Sequence, residues 1–267
     1  MKLLVGNTVM KTRWLNRDEN DGKVNVMQKL KFVKRCRLVA SVVGALTVML
    51  GIMGCDDDSN HIVWTPELLE RAERGDVEAM FRLGIRYDQE NGERDIVEAV
   101  KWYKKAAELG HRDAQHVLGV LYVTGDGVPL DFAEAEKWLL KSAEQGNIAA
   151  QHDLGLTLRK QQKYEDSLKW FLRAAEAGNV HAQLQVAKIY EQGIGVAVSP
   201  QDAFKWCERA AQQGDALAQY NLGVYYHNGD AVARDQAKAI EWLQKADAQG
   251  YEGAKRALKI VQGSDKE

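Results

Sequence analysis

Apolar positions recur along the chain in two alternating patterns. In Ala114–Tyr122 and Ala218–Tyr226 the repeated Ala, Leu and Tyr stand four residues apart, which places them on one stripe of a helix. In Ala135–Ala143 the residues Ala, Trp and Ala share one face and Lys and Glu take the other. Paired amphipathic helices follow. The pairs also keep a common phase, the signature of a repeat architecture. Trp102, Trp138, Trp170, Trp206 and Trp242 are separated by 36, 32, 36 and 36 residues, and Gly110, Gly146, Gly178, Gly214 and Gly250 keep the same intervals. Ala79, Ala114, Ala150, Ala182, Ala218 and Ala254 follow at 35, 36, 32, 36 and 36. Five units therefore run from residue 79 to 253.

Local punctuation agrees with that division. Asp95 with Glu98, and Asp131 with Glu134, have the spacing of a capping box, and Ser199-Pro200 sets a cap residue before a first-turn proline. The five phased glycines end the second helices, where a left-handed residue lets the chain reverse. Asn147, Asn179 and Asp215 come next as caps of the following helices. A glycine inside a helix costs about 1 kcal/mol relative to Ala. Its recurrence at Gly84, Gly119, Gly155 and Gly223, with Ala187 in the fourth copy, predicts a close approach by another helix there. Loops within the units carry Thr124–Val128 and Gln192–Val196, whereas Lys160–Lys163 makes the third loop shorter by about four residues.

The pattern A-Q-x-x-L-G-x-x-Y…G-x-G-V…A-x-x-W-x-x-x-A-A-x-x-G resembles the Sel1-like repeat, a relative of the tetratricopeptide repeat. The resemblance covers residues 79–253, with a half unit at Thr65–Gly75 before it and a final helix from Tyr251 to about Gln262 after it. Departures are the short third loop, Ala187 for Gly and Leu158 for the recurring Tyr. It implies an all-α fold, an α/α solenoid of about five Sel1-like repeats over residues 64–262, wound as a right-handed superhelix with an extended concave face. Residues 263–267 form a polar tail.

The chain before the solenoid reads as an address. Residues 38–54 are 17 consecutive uncharged, mostly apolar positions, preceded by Lys29, Lys31, Lys34, Arg35 and Arg37. That order is an export signal within a leader spanning 1–54, or a retained signal anchor, since 17 residues is the lower limit for a spanning helix. Either version carries the residues after 55 across the membrane. Asp18, Glu19 and Asp21 fit such a signal poorly, so Met27 is a candidate start. Ile52-Met53-Gly54-Cys55 resembles the lipobox of bacterial lipoproteins, with Met53 where a smaller residue is usual. The resemblance implies cleavage before Cys55, acylation of that cysteine and an acidic tether over residues 55–63 that includes Asp56, Asp57 and Asp58. Multiple acyl chains hold a protein stably where one does not. In many Gram-negative lipoproteins an Asp in the place of Asp56 retains the protein in the inner membrane, so the periplasmic face of that membrane is the expected location, with the outer membrane as the alternative.

Charge sharpens this division. Residues 1–54 carry ten Lys/Arg against three Asp/Glu, so the other 213 residues carry 26 against 35, a balance of -9. An acidic body disfavours nucleic acid as a partner. Cys36, Cys55 and Cys207 are too few and too far apart for a disulfide framework. No nucleophile-base pair, HExxH, CxxC or phosphate-loop pattern stands out, and Gly125-Asp-Gly127 and Gly193-Ile-Gly195 read as turn glycines. His116 and His152 share a register with Phe81, Leu184 and Tyr220, which points to packing rather than a metal; His61, His111, His181 and His227 show no shared register. Neither a metal nor a cofactor is expected.

Positions that vary between copies on one framework are free of packing duty. On the first helices these include Arg82, Val117, Asp153, Gln185 and Asn221 in one row. By resemblance to tetratricopeptide solenoids, the concave face formed there takes a protein or peptide partner through Arg82, Arg86, His116, Asp153, Gln185, Asn221 and Tyr226. The expectation is a membrane-tethered, periplasm-facing scaffold without enzymatic activity. The alternatives are a cell-envelope enzyme acting on peptidoglycan or β-lactams, and a cytosolic interaction protein if the first segment is not an export signal.

Overall fold

The structure, a computed structural model, describes residues 65–89 and 95–263. The basic and apolar leader, Cys55, the acidic tether and residues 264–267 of the polar tail lie outside these residues. Twelve helices and no strand occur among the described residues. They fall into two compact units, divided between Asp131 and Phe132. The front unit holds α1 (Pro66–Glu73), α2 (Val77–Gln89), α3 (Ile96–Glu108) and α4 (Arg112–Thr124). The back unit holds α5 (Phe132–Glu144), α6 (Ile148–Lys160), α7 (Tyr164–Glu176) and α8 (Val180–Gln192), followed by α9 (Pro200–Gln212), α10 (Ala216–Asn228), α11 (Gln236–Ala248) and α12 (Glu252–Val261). No helix among the described residues is long and apolar enough to cross a membrane.

Helix starts follow the expected chemistry. Thr65 Oγ1 accepts the Leu68 N–H at 3.2 Å ahead of the proline at the first turn of α1, and Asp95 Oδ1 accepts from Glu98 at 3.0 Å. Asn147, Asn179 and Asp215 accept from Ala150, Ala182 and Ala218 at 3.0, 2.8 and 2.8 Å. Each cap satisfies an N–H that the first turn leaves without a helical acceptor. At the other ends, Gly110, Gly146, Gly178, Gly214 and Gly250 have φ between 78° and 94° with no neighbour near an added Cβ, so backbone conformation alone selects glycine there. The short third loop uses Gln162 in that left-handed region, with φ 64°.

The helix pairs close over small apolar layers. Tyr103, Leu83, Leu118 and Ala99 are buried in the front unit; Phe171, Leu139, Leu154, Ile189, Leu222 and Leu243 are buried in the back one. Each large side chain taken out of water there contributes about 1.5–3 kcal/mol. The recurring mid-helix glycine has the predicted cause. A Cβ on Gly84 would enter the ring of Tyr103, and one on Gly155 or Gly223 would come within 2.7 Å of Phe171 or Leu243. Leu158, in place of the recurring Tyr, is buried.

Candidate interaction faces of the first helices

In the front unit, Arg82 and Arg86 lie one turn apart on α2, Arg82 exposed and Arg86 half-buried. Arg82 Nε donates to Glu78 Oε1 at 2.8 Å, one turn back. The second oxygen of Glu78 lies 3.1 Å from His111 Nε2, the start of α4. Hydrogen bonds from His111 and Arg82 hold the Glu78 carboxyl below the ordinary glutamate range. His116 is half-buried on α4. This unit thus presents the Arg82 guanidinium, with Arg86 partly enclosed one turn further along α2.

In the back unit, Asp153 and Arg159 stand on α6 and Gln185 on α8. Arg159 Nη1 donates to Gln185 Oε1 at 2.7 Å, and its guanidinium carbon lies 5.9 Å from the Phe171 ring centroid. Asp153 Oδ1 accepts from His152 Nδ1 at 3.0 Å. Asp153, Arg159 and Gln185 remain half-buried and reachable. The other two expected contact residues do not. Asn221 is 0% exposed and Tyr226 7%, within a run from Leu217 to Tyr226 that is buried throughout. Helix α10 is flanked by α9, α11 and α12. The Tyr226 ring meets Phe204 edge-on at 5.6 Å, with Lys238 Nζ 5.2 Å from its centroid. Both residues therefore belong to the interior of α10's surroundings and leave the candidate surface.

Two side-chain devices escaped the sequence reading. The first is a set of glutamines, one residue after the phased Ala. Gln115, Gln151, Gln183 and Gln219 donate through Nε2 to the carbonyls of Ala107, Ala143, Ala175 and Ala211 at 3.0, 3.2, 3.1 and 3.4 Å. Each bond joins a first helix to the second helix of the preceding repeat. The second is a cation three residues after every phased tryptophan. Lys105, Lys141, Arg173, Arg209 and Lys245 lie 3.9, 4.6, 4.5, 4.5 and 3.9 Å from the rings of Trp102, Trp138, Trp170, Trp206 and Trp242. Cations so placed are attracted to the ring face. Both were legible as A-Q and W-x-x-[KR].

The chemistry-bearing side chains are engaged in packing. His152 is buried against Phe171, ring centroids 5.7 Å apart, as its shared register with Leu184 and Tyr220 implied. His111 corrects the reading of scattered histidines: it caps α4, the register of Asn147, Asn179 and Asp215. Cys207 is fully buried, its thiol donating to Ala218 O at 3.4 Å, and burial pushes its pKa up, away from thiolate reactivity. Burial and the neighbouring Glu191 carboxylate likewise raise Tyr225, whose hydroxyl donates to Glu191 Oε2 at 3.2 Å. Among the described residues, no group of three or more His, Cys, Asp and Glu is placed to hold a metal ion.

Helix pairs in register, joined repeat to repeat by glutamines and closed by glycine against a large side chain, define an all-α repeat solenoid. The chain matches the Sel1 repeat at residues 77–111, 112–147, 148–179, 180–215 and 216–251, and it belongs to the Sel1 repeat family. It is similar to a Sel1 repeat protein from Oxalobacter formigenes, at 30% identity over 73% of this chain and 86% of that one, with a TM-score of 0.60. A protective antigen present in uropathogenic Escherichia coli strains, displaying an SLR fold, is 31% identical over 73% of this chain and 50% of its own length, with a TM-score of 0.46. Among the curated proteins nothing matches.

Proposed function

We propose that this Sel1 repeat scaffold binds a protein or peptide partner through its first helices and works on the periplasmic face of a bacterial membrane, held there through Cys55. The observation that carries the binding role is the contrast in duty between rows of one helix type. Ala, Leu and Gly positions are consumed by packing, while Arg82, Arg86, His116, Asp153, Arg159 and Gln185 vary between copies, Arg82 exposed and the other five half-buried. Such a surface holds a partner by hydrogen bonds and charge, with no reaction required of it. Support for the tether is in the sequence: five cations, 17 uncharged residues, Gly54-Cys55 and three aspartates in succession.

Crosslinking in intact cells, followed by identification of what is trapped, tests the binding role. Charge reversal by Arg82→Glu with Arg86→Glu is expected to remove one or more trapped proteins; an unchanged set rejects the front face as a binding site. The tether is tested by labelling with a lipid precursor, expected in wild type and absent from Cys55→Ser. An unlabelled wild-type protein refutes acylation.

A further inference from the structure

First-helix starts use one acceptor position. Asp76, Asn147, Asn179 and Asp215 fill it with a carboxylate or amide oxygen, each accepting the N–H three residues on at 2.8–3.0 Å. A carboxylate or amide oxygen accepts with either of two lone pairs, whereas an imidazole nitrogen has one and loses it on protonation. His111 is the exception. Its Nδ1 accepts the Ala114 N–H at 3.1 Å, its Nε2 lies 3.1 Å from Glu78 Oε2, and its ring stacks on Phe81 with centroids 4.4 Å apart.

An Nδ1 that accepts an N–H must carry its lone pair. The ring proton is therefore on Nε2, which donates to Glu78. We propose that His111 is a proton-operated latch between α2 and α4, closed when the imidazole is neutral and opened by acid. The incoming proton bonds to the Nδ1 lone pair, the ring becomes a donor at both nitrogens, and the Ala114 N–H loses its acceptor. The new positive charge then faces the positive end of the α4 dipole. The charged groups around the ring are Glu78 and Arg82 on α2 and the mutually paired Arg112 and Asp113 on α4, which meet at 3.2 Å. From α3 the Ala106 carbonyl accepts the His111 backbone N–H at 3.0 Å. Attraction between imidazolium and Glu78 opposes opening. That carboxylate is 52% exposed and already holds Arg82, so the gain is small against the lost cap.

The latch lies in the front unit and ties the start of α4 to α2, the helix that bears Arg82 and Arg86. Amide hydrogen exchange of the full chain over the first turn of α4, corrected for intrinsic rate, is compared at pH 8 and pH 5 in wild type and His111→Asn. Wild type is expected to lose about five- to tenfold protection relative to His111→Asn, which carries the amide cap of the other repeats. Parallel profiles, or wild-type protection that grows in acid, overturn the proposal. Imidazole nitrogen shifts at pH 8 give a second reading: the Nε2–H tautomer is expected, and the Nδ1–H tautomer overturns it.

Discussion

The third and fourth repeats occupy the same compact unit and share one framework, yet they divide their interior differently. In the third, Gly155 faces the ring of Phe171. In the fourth, Ala187 takes the glycine position and Cys207 takes the aromatic one, both in one buried cluster. A methyl has moved across the helix pair while the partner shrank. The polar seam is also unlike. Gln183 Oε1 accepts from Gln213 Nε2 at 2.8 Å, as Gln219 Oε1 does from Gln249 at 2.8 Å. The counterpart of Gln213 and Gln249 in the third repeat is Ala177, the residue ending α7, and Gln151 Oε1 is buried without a partner. The repeat is thus specified by pairs, a shared volume and a shared hydrogen bond, more than by residue identities.

The steepest test of pairing is the aromatic position. Phe171→Ala is expected to cost about 3–5 kcal/mol in denaturant unfolding. Gly155→Ala, whose Cβ would sit 2.7 Å from the ring, costs about 1–3 kcal/mol before the better helix propensity of Ala offsets about 1. Combining Gly155→Ala with Phe171→Cys reproduces the fourth repeat's pair and is expected to cost less than the sum of the two changes. Strict additivity would break the comparison.

A smaller effect of opposite sign follows from the seam. Ala177→Gln supplies the missing donor to Gln151 and is expected to raise stability by about 0.5–1.5 kcal/mol, read as a higher denaturant midpoint at unchanged slope. Gln213→Ala is expected to lower it by a similar amount.

The smallest effect concerns one position with three occupants: Arg159, Glu191 and His227 in the third, fourth and fifth repeats. Burial lowers the His227 pKa, and its Nδ1 is enclosed without a partner. A histidine depressed in this way favours the folded chain while neutral. Its contribution is complete above the ordinary value of about 6.5 and is lost as pH falls below it toward the folded value. Wild type is expected to lose about 1–2 °C in Tm across that window relative to His227→Gln. A His227→Gln profile of identical slope removes His227 as the cause.

Helices, caps, loop lengths and the glycine approach were legible because each leaves a periodic mark, and five copies average out local noise. Pairing left weaker marks. Gly155 and Phe171 are 16 residues apart, and Ala187 and Cys207 are 20 apart, so their exchange shows only once the helices are folded together. Arg82 in the front unit is exposed, and Asp153 and Gln185 in the back unit are half-buried. Asn221 varies in the same way but is enclosed, because burial at α10 depends on what surrounds that one copy, whereas Tyr226 is a copy of the recurring Tyr, whose period already marked a framework position. His111 escaped as a cap because an imidazole is not among the side chains usually expected there.

The glutamine seams also have a mechanical consequence. Each of the four ties the start of one repeat to the end of the repeat before it through a side-chain bond to a carbonyl. Pulled from its ends, the chain should part like a row of stitches, one seam yielding at a time at low and similar force.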